Sequence, residues 1–411
     1  MKKIFIVDEH QSSKQNGVGT YIRNLLKCFE NSGHEVNLLS FNSDEKEFRI
    51  NKPAYYTEYH IPVCANGDFL RNGPLSLSLL RLYIEDDVKN VFVVSHSPCL
   101  KFLRTLQSLF PKSERIFVIH NQGWTSPLLG NRDELYSIMS SRRLPSAPKE
   151  LKDKYRYVRK YTRTEMAMYK NVHRVICLCQ GTKNLLTDLY QVPEHKVTVI
   201  PNGMEPVVHH LSESEKVQTR EKLGITQDEI VLLYAGRISE AKGVVELLKA
   251  FETLWHENHK LHLVIAGQMF NLNDYVKYTP DSCTHITYTG LIGKERLNEW
   301  YEIADVGVLP TYTEQCSYTG MELMARGKLI VATDGNNLPD MFTSDMALLA
   351  HIDITSKKLI HLEKQLARQL DHALALDYRT RQELCRRARE RCQKGYSIHA
   401  WKEKYIRLIN G

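Results

Sequence analysis

The stretch IVLLYAGRISEAKG, Ile230–Gly243, runs from a short apolar segment into a glycine, two cations five residues apart and a second glycine. A longer segment with helical spacing follows, so the whole reads as a strand, a tight charged turn and a helix. Working outward, the same alternation recurs. Downstream lie LHLVIAG from Leu261, HITYTG from His285, VGVLP from Val306, LIVATD from Leu329 and ALLAHI from Ala347. Upstream lie IFIV from Ile4, EVNLLS from Glu35, VFVVSH from Val91, RIFVIH from Arg115, RVICLC from Arg174 and VTVIP from Val197. Strands alternating with helices predict parallel α/β structure, here in two successive stacks of about six strands each. Pro201-Asn202-Gly203 and the polar stretch His209–Glu221 supply the connection between them. The expected domains are therefore residues 1–204 and 205–395.

The length of 411 residues is ample for two cores, and 42% hydrophobic with 25% charged residues leaves no case for disorder or a fibre. MKKIFIVDEH has only four apolar residues before Asp8, and no later run approaches a membrane span, so a cytoplasmic location is expected. Nine cysteines, scattered and odd in number, argue against a disulfide framework. Cys177 and Cys179 have no second pair at zinc spacing and are read as alternating on a buried strand.

Net charge is +7, unevenly spread. Residues 1–205 hold 29 Lys/Arg against 21 Asp/Glu, whereas 206–411 hold 26 against 27. Arg142–Arg174 alone carries 11 basic and 3 acidic residues, which accounts for the entire excess of the first half. Within it, Leu151, Tyr155, Val158, Thr162, Glu165 or Met166, and Tyr169 recur at helical spacing, predicting a basic amphipathic helix over 149–169. Asn121–Pro148, with three prolines and no clean period, is expected to be a loop or lid.

Three constellations could carry chemistry. Asn16-Gly17-Val18-Gly19 stands between the first strand and a helical pattern, where glycines let backbone approach a ligand and a helix start offers N–H groups to an anion. A tight turn needing glycine explains it equally well. Arg237 and Lys242 stand at the carboxyl end of a strand, where open α/β sheets bind ligands, and can clamp a diphosphate; a solvated charged turn is the plainer alternative. In Thr313–Glu322, Glu314 is expected on a loop and Glu322 in a helix's first turn, with the amides of Ser317, Tyr318 and Thr319 directed at an anion.

In this order NGVGTYIRNL, VIHN, RVICLC, VIPNG, YAGRISEAKG, LVIAG, YTG and the pair Glu314-x7-Glu322 followed by ELMARG and LIVATD resemble the retaining glycosyltransferases of family 4 over nearly the whole chain. The resemblance implies the GT-B fold, two Rossmann-like domains facing across a cleft, with a last helix (396–411) crossing back to the amino-terminal domain. It implies transfer of a glycosyl group from a nucleotide-diphosphate sugar, with UDP as the expected nucleotide. By the family's pattern Arg237 and Lys242 bind the diphosphate, Glu322 the ribose, Glu314 the transferred sugar and His120 a sugar hydroxyl. Gly17 and Gly19 form the glycine loop. The catalytic set is thus Glu314, His120, Arg237 and Lys242, and the donor-binding set Gly17, Gly19, Arg237, Lys242, Ser317, Tyr318, Thr319 and Glu322.

This sequence departs from the pattern in three places, one of them Cys179, where a serine is common. Asn16-Gly17 replaces two adjacent glycines, and Gln315-Cys316-Ser317 replace a glycine, an aromatic and a glycine, which leaves the donor sugar open. No D-x-D motif ends a strand, so no metal and no cofactor are expected. The rival from another class, a non-catalytic partner or acceptor-binding subunit, should have lost the cations and paired carboxylates that this chain keeps. The acceptor, whether glycan, lipid-linked or peptide, is not legible. The basic helix fits either an anionic membrane surface or a solvated face; nucleic acid is disfavoured, because its tyrosines serve a core seam as well as they serve bases.

Overall fold

The computed structural model describes residues 1–14, 16–63, 69–95, 99–141, 148–207, 210–269, 271–353 and 361–411. The chain forms two compact units, Met1–Leu128 with Arg132–Glu205 and Ser397–Gly411, and Leu129–Asn131 with Pro206–Tyr396. These divisions fall at 205/206 and 396/397, against expected boundaries of 204 and 395. The Ile398 amide donates to the Met204 carbonyl at 2.8 Å, beside a bridge between Met204 and Ser397, which ties both segments into the first unit.

Unit 1 is built on eight strands: β1 (Lys3–Glu9), β2 (Glu35–Ser43), β3 (Arg49–Asn51), β4 (Thr57–Pro62), β5 (Asn90–Val94), β6 (Glu114–Ile119), β7 (Arg174–Cys177) and β8 (Val197–Val199). Their order is β3-β4-β2-β1-β5-β6-β7-β8, parallel except for the antiparallel β3–β4 pair. The sequence reading missed β3 and β4. They form the sheet's edge, and most of their residues are only partly buried, so neither shows the apolar run that marks a central strand. The central β1 and β5 are apolar on both faces and almost wholly buried, as helix-covered parallel strands must be.

Two further expectations are corrected in this unit. RVICLC ends as a strand at Cys177; Cys179 caps the helix Gln180–Asp188, with its thiol against Thr182 Oγ1. The segment 121–148 is not all loop, because Arg132–Ser140 is helical, with Asp133 and Glu134 in its first turn and Leu135 and Ile138 buried. A single turn of apolar spacing is too short to register as a period. Residues 142–147 of that segment, with Arg142 and Arg143 of the basic stretch, lie outside the described residues, as does His209 of the connection.

The basic helix spans Lys149–Lys170 and buries Tyr155, Val158, Thr162, Glu165, Met168 and Tyr169. Of the two residues that the spacing left open for the buried face, Glu165 and Met166, Glu165 is the fully buried one. Its carboxylate accepts the Gly123 amide at 2.9 Å and the Tyr190 hydroxyl at 2.7 Å, and burial pushes its pKa up to about 7. It thereby fixes the chain just beyond β6. The last helix, Ile398–Asn410, is capped by Ser397 and buries Trp401, Tyr405 and Ile409 in unit 1. The hydroxyls of Tyr405 and Tyr21 form a short hydrogen bond, Lys402 reaches the Glu30 carbonyl at 2.7 Å, and Trp401 lies on Gly203, where a Cβ would overlap its indole.

Unit 2 carries β9 (Ile230–Ala235), β10 (Leu261–Ala266), β11 (Ile286–Gly290), β12 (Val306–Leu309), β13 (Leu329–Thr333) and β14 (Leu348–Ala350). All six were anticipated. They form one parallel sheet of order β11-β10-β9-β12-β13-β14. The winding reverses between β9 and β12, and ligands of open α/β sheets bind outside the strand ends at such a reversal. Unit 1 reverses likewise between β1 and β5.

Candidate functional site

The loop after β9 is shaped by its last glycine. Gly243 has φ +64°, and a Cβ there would fall on the Pro310 carbonyl oxygen, so only glycine lets this loop pack against the one that follows β12. Hydrogen bonds then join the two loops. The Tyr312 amide and the Thr311 hydroxyl both donate to the Ala241 carbonyl, at 3.0 and 3.1 Å. The Thr319 hydroxyl donates to the Ala235 carbonyl at 2.9 Å, and the Tyr234 hydroxyl to that of Arg237 at 2.5 Å.

The result brings Lys242 Nζ to 2.5 Å from Glu314 Oε2, with both side chains 21% exposed. Glu314 Oε1 accepts the Gln315 amide at 3.2 Å, and Asn337 holds the Glu314 carbonyl at 2.9 Å. Arg237 is exposed on the same loop as Lys242. The site thus presents an exposed guanidinium and a half-buried ion pair at the sheet's reversal. The Lys242–Glu314 contact is the one that sequence spacing could not show, since 72 residues separate the partners.

Glu322 lies in the second turn of the helix Tyr318–Ala325, not the first, because the helix starts four residues ahead of it. Burial raises its pKa, while the Tyr301 hydroxyl and Arg326 draw it back. Arg326 is itself buried, 3.2 Å from Glu302, with its guanidinium over the Tyr301 ring and donating to Asn298 at 2.7 Å. These supports were not foreseen. Arg326 was visible within ELMARG, but nothing in its spacing marked it as a partner of Glu302.

Ser317 caps the helix, its hydroxyl accepting the Gly320 amide at 3.1 Å, and its own amide is engaged by Met341 Sδ at 3.1 Å. The Met341 contact thus takes the Ser317 amide out of the expected Ser317–Thr319 cradle. A similar result holds at the start of unit 1. Asn16 caps the helix Gly17–Phe29, and its side-chain oxygen accepts the amides of Val18 at 2.8 Å and Gly19 at 3.4 Å. Gly17 is exposed as the first helical residue, whereas Gly19 is buried where a Cβ would strike the Ser13 carbonyl. The cap was legible in principle, since Asn before a helical pattern is a strong start signal.

His120 follows β6. Its ring meets Tyr21 edge-on at 4.4 Å, and its Nε2 is buried with no hydrogen-bond partner among the described residues. Burial lowers its pKa to about 4, so the ring is neutral near pH 7. An unpartnered buried nitrogen is costly unless a ligand completes it. On the basic helix, Arg156, Arg159, Lys160 and Arg163 line a groove of about 480 Å³ with Leu100, Thr164 and Ala167. Arg159 is partly structural, since its guanidinium donates to the carbonyls of Ile138 and Ser141. Among the described residues no helix is long and apolar enough to cross a membrane.

Two family models match successive parts of the chain: Glycosyltransferase Family 4 over residues 15–208 and Glycosyl transferases group 1 over residues 215–391. The chain belongs to the family 4 glycosyltransferases and has the GT-B fold. An uncharacterized glycosyltransferase of Methanocaldococcus jannaschii is 29% identical over 42% of this chain and 45% of its own length. An alpha-monoglucosyldiacylglycerol synthase of Streptococcus pneumoniae is 30% identical over 43% and 41%. The chain thus spans under half the length of these relatives. The corresponding synthase of Acholeplasma laidlawii is 25% identical over 80% of this chain and 79% of its own. Among solved structures, sucrose-phosphate synthase from Thermosynechococcus elongatus superposes with a TM-score of 0.75 at 16% identity, covering 100% of this chain and 98% of the other. Anabaena HepE in complex with UDP and glucose gives 0.68 at 14% identity, with 100% of each chain covered.

Proposed function

We propose that the chain transfers a hexosyl group from a UDP-sugar, with retention of anomeric configuration and without a metal at the site of transfer. The observation that carries this reading is the Lys242–Glu314 pair, with Arg237 exposed on the same loop as Lys242, at the reversal of the second sheet. A leaving diphosphate needs positive charge where its own negative charge develops, and fixed cations with the Thr319 amide supply it without reorganisation. Lys242 then shares its charge between Glu314 and phosphate, and Glu314 is left to answer the oxocarbenium-like charge of the sugar. Glu322, held by Tyr301 and Arg326, takes the ribose hydroxyls. The neutral His120 accepts or donates one hydrogen bond to a sugar hydroxyl through its unpartnered Nε2. Retention follows if the acceptor attacks from the leaving-group face and the departing phosphate takes its proton. The relatives named alpha-monoglucosyldiacylglycerol synthase and the HepE complex with UDP favour a UDP-sugar and an acceptor at a membrane surface, the protein itself being cytoplasmic and peripheral. The groove of the basic helix suits the anionic headgroups of such a surface.

Purified protein screened by mass spectrometry against a panel of nucleotide sugars tests this. Slow hydrolysis or transfer from a UDP-sugar is expected. Tight binding of a glycan or protein partner with no turnover of any nucleotide sugar would favour the non-catalytic subunit instead.

A further inference from the structure

At the opposite ends of the strands that carry the donor loop, three side chains of unit 2 converge. Glu229 precedes β9, His262 is the second residue of β10, and His285 precedes β11. The parallel register, with Leu261 opposite Ile230 and Leu263 opposite Ile286, sets these three starts side by side. His262 Nδ1 lies 3.0 Å from Glu229 Oε1, and His285 Nδ1 lies 3.9 Å from the same oxygen. One ligand atom from each residue falls within 4.8 Å of the other two. We propose that Glu229, His262 and His285 form a zinc site, with water in the fourth position.

The donor set and its spacing both fit. Two imidazoles and a carboxylate are ligands that zinc takes readily, and tetrahedral bonds of about 2.0–2.2 Å place neighbouring ligand atoms about 3.4 Å apart, between the two distances observed. Each ligand is also aimed by a second contact, as metal ligands usually are. Glu229 Oε2 accepts both the amide and the hydroxyl of Thr226, at 2.6 and 2.9 Å, which turns Oε1 toward the histidines. His262 Nε2 is 2.8 Å from Thr287 Oγ1, which leaves Nδ1 for the metal. The His285 ring packs against Trp255 at 5.3 Å. Arg220 pins the turn, donating to the carbonyls of Thr226, Glu229 and Ile303, and its charge is answered by Asp305 at 3.7 Å.

Exposure of the side chains, 14% for Glu229, 10% for His262 and 34% for His285, leaves an opening on the His285 side. The neighbouring group Glu252, His256 and Asp281 is a poorer rival. Its His256 and Asp281 are exposed, and both oxygens of Glu252 accept amides, from Asp281 at 3.0 Å and Ser282 at 3.1 Å. A zinc ion at the first site would tie together the amino ends of three strands, remote from the donor loop at their carboxyl ends, and its role would be stability rather than transfer.

The test is titration of untagged, chelator-stripped protein with zinc, followed by calorimetry and by the melting temperature. One equivalent should bind in the micromolar range and raise the melting temperature by a few degrees. His262 is deeply buried and its removal risks the fold, so His285→Gln and Glu229→Gln carry the test, with His256→Gln as the control. The first two should lose at least tenfold in zinc affinity with unchanged circular dichroism, and His256→Gln should bind as wild type does. Absence of micromolar zinc binding, binding that survives His285→Gln, or binding lost in His256→Gln alone would each overturn the assignment.

Discussion

The chemistry of the site rests on very few side chains. Arg237 is exposed and Lys242 is bonded only at its tip, so removing either should leave the core intact. Arg237→Ala and Lys242→Ala are each expected to lower turnover at least tenfold, about 1.4 kcal/mol of transition-state stabilisation, with melting temperatures near wild type. Wild-type turnover in both would remove the diphosphate assignment. His120 offers a pH signature. Its folded-state pKa of about 4 lies below the ordinary 6.5, so its contribution to stability is fully present above pH 6.5 and is lost as pH falls through 4. The melting temperature of wild type should therefore fall relative to His120→Gln on acidification from pH 7 to 4. A constant difference between the two would show that the ring is not held neutral.

At the scale of elements, the last helix should matter more than its 13 residues suggest. Trp401, Tyr405 and Ile409 are all at most 2% exposed within unit 1, and burying large side chains of this kind is worth about 3–5 kcal/mol for a tryptophan alone. Deleting 397–411, or placing alanine at Gly203 under the Trp401 ring, should lower the first calorimetric transition by several degrees; an unchanged thermogram would contradict this packing.

The same scale shows why the sequence was readable where it was. In unit 2 most strands are buried with apolar character on both faces, and the partly buried edge strand β11 is still marked by its β-branched and aromatic residues and closing glycine, so all six stand out. In unit 1 the edge strands β3 and β4 and the helix 132–140 lack either a long apolar run or a full period, and they did not. The site was legible as residue types at strand ends. What spacing could not supply were contacts between distant segments: Lys242 with Glu314, Arg326 with Glu302, Glu165 with Gly123, and the Ser317 amide with Met341.

For the whole molecule, charge and chemistry point to different surfaces. Of the first half's excess of eight positive charges the helix Lys149–Lys170 carries five, and its Arg156, Lys160 and Arg163 are exposed along the groove. Each basic residue near an anionic bilayer contributes about 1 kcal/mol, and screening confines that to close approach. Co-sedimentation with anionic vesicles is expected, falling at high salt, and should be abolished by serine at Lys152, Lys154, Arg156 and Lys160; Arg159 is spared because it holds the 138–141 turn. Absence of binding in wild type would leave a soluble acceptor.

If the proposed zinc site and the proposed metal-free transfer both hold, a chelator should lower the melting temperature yet leave the initial rate of transfer unchanged at 25 °C. The most direct measurement is the initial rate of UDP-sugar turnover in excess EDTA, taken side by side for wild type and for the Arg237→Ala/Lys242→Ala double variant. Activity retained in EDTA by wild type and lost by at least a hundredfold in the double variant is the predicted result. Activity abolished by EDTA and restored by magnesium or manganese, or a double variant as fast as wild type, would contradict the account.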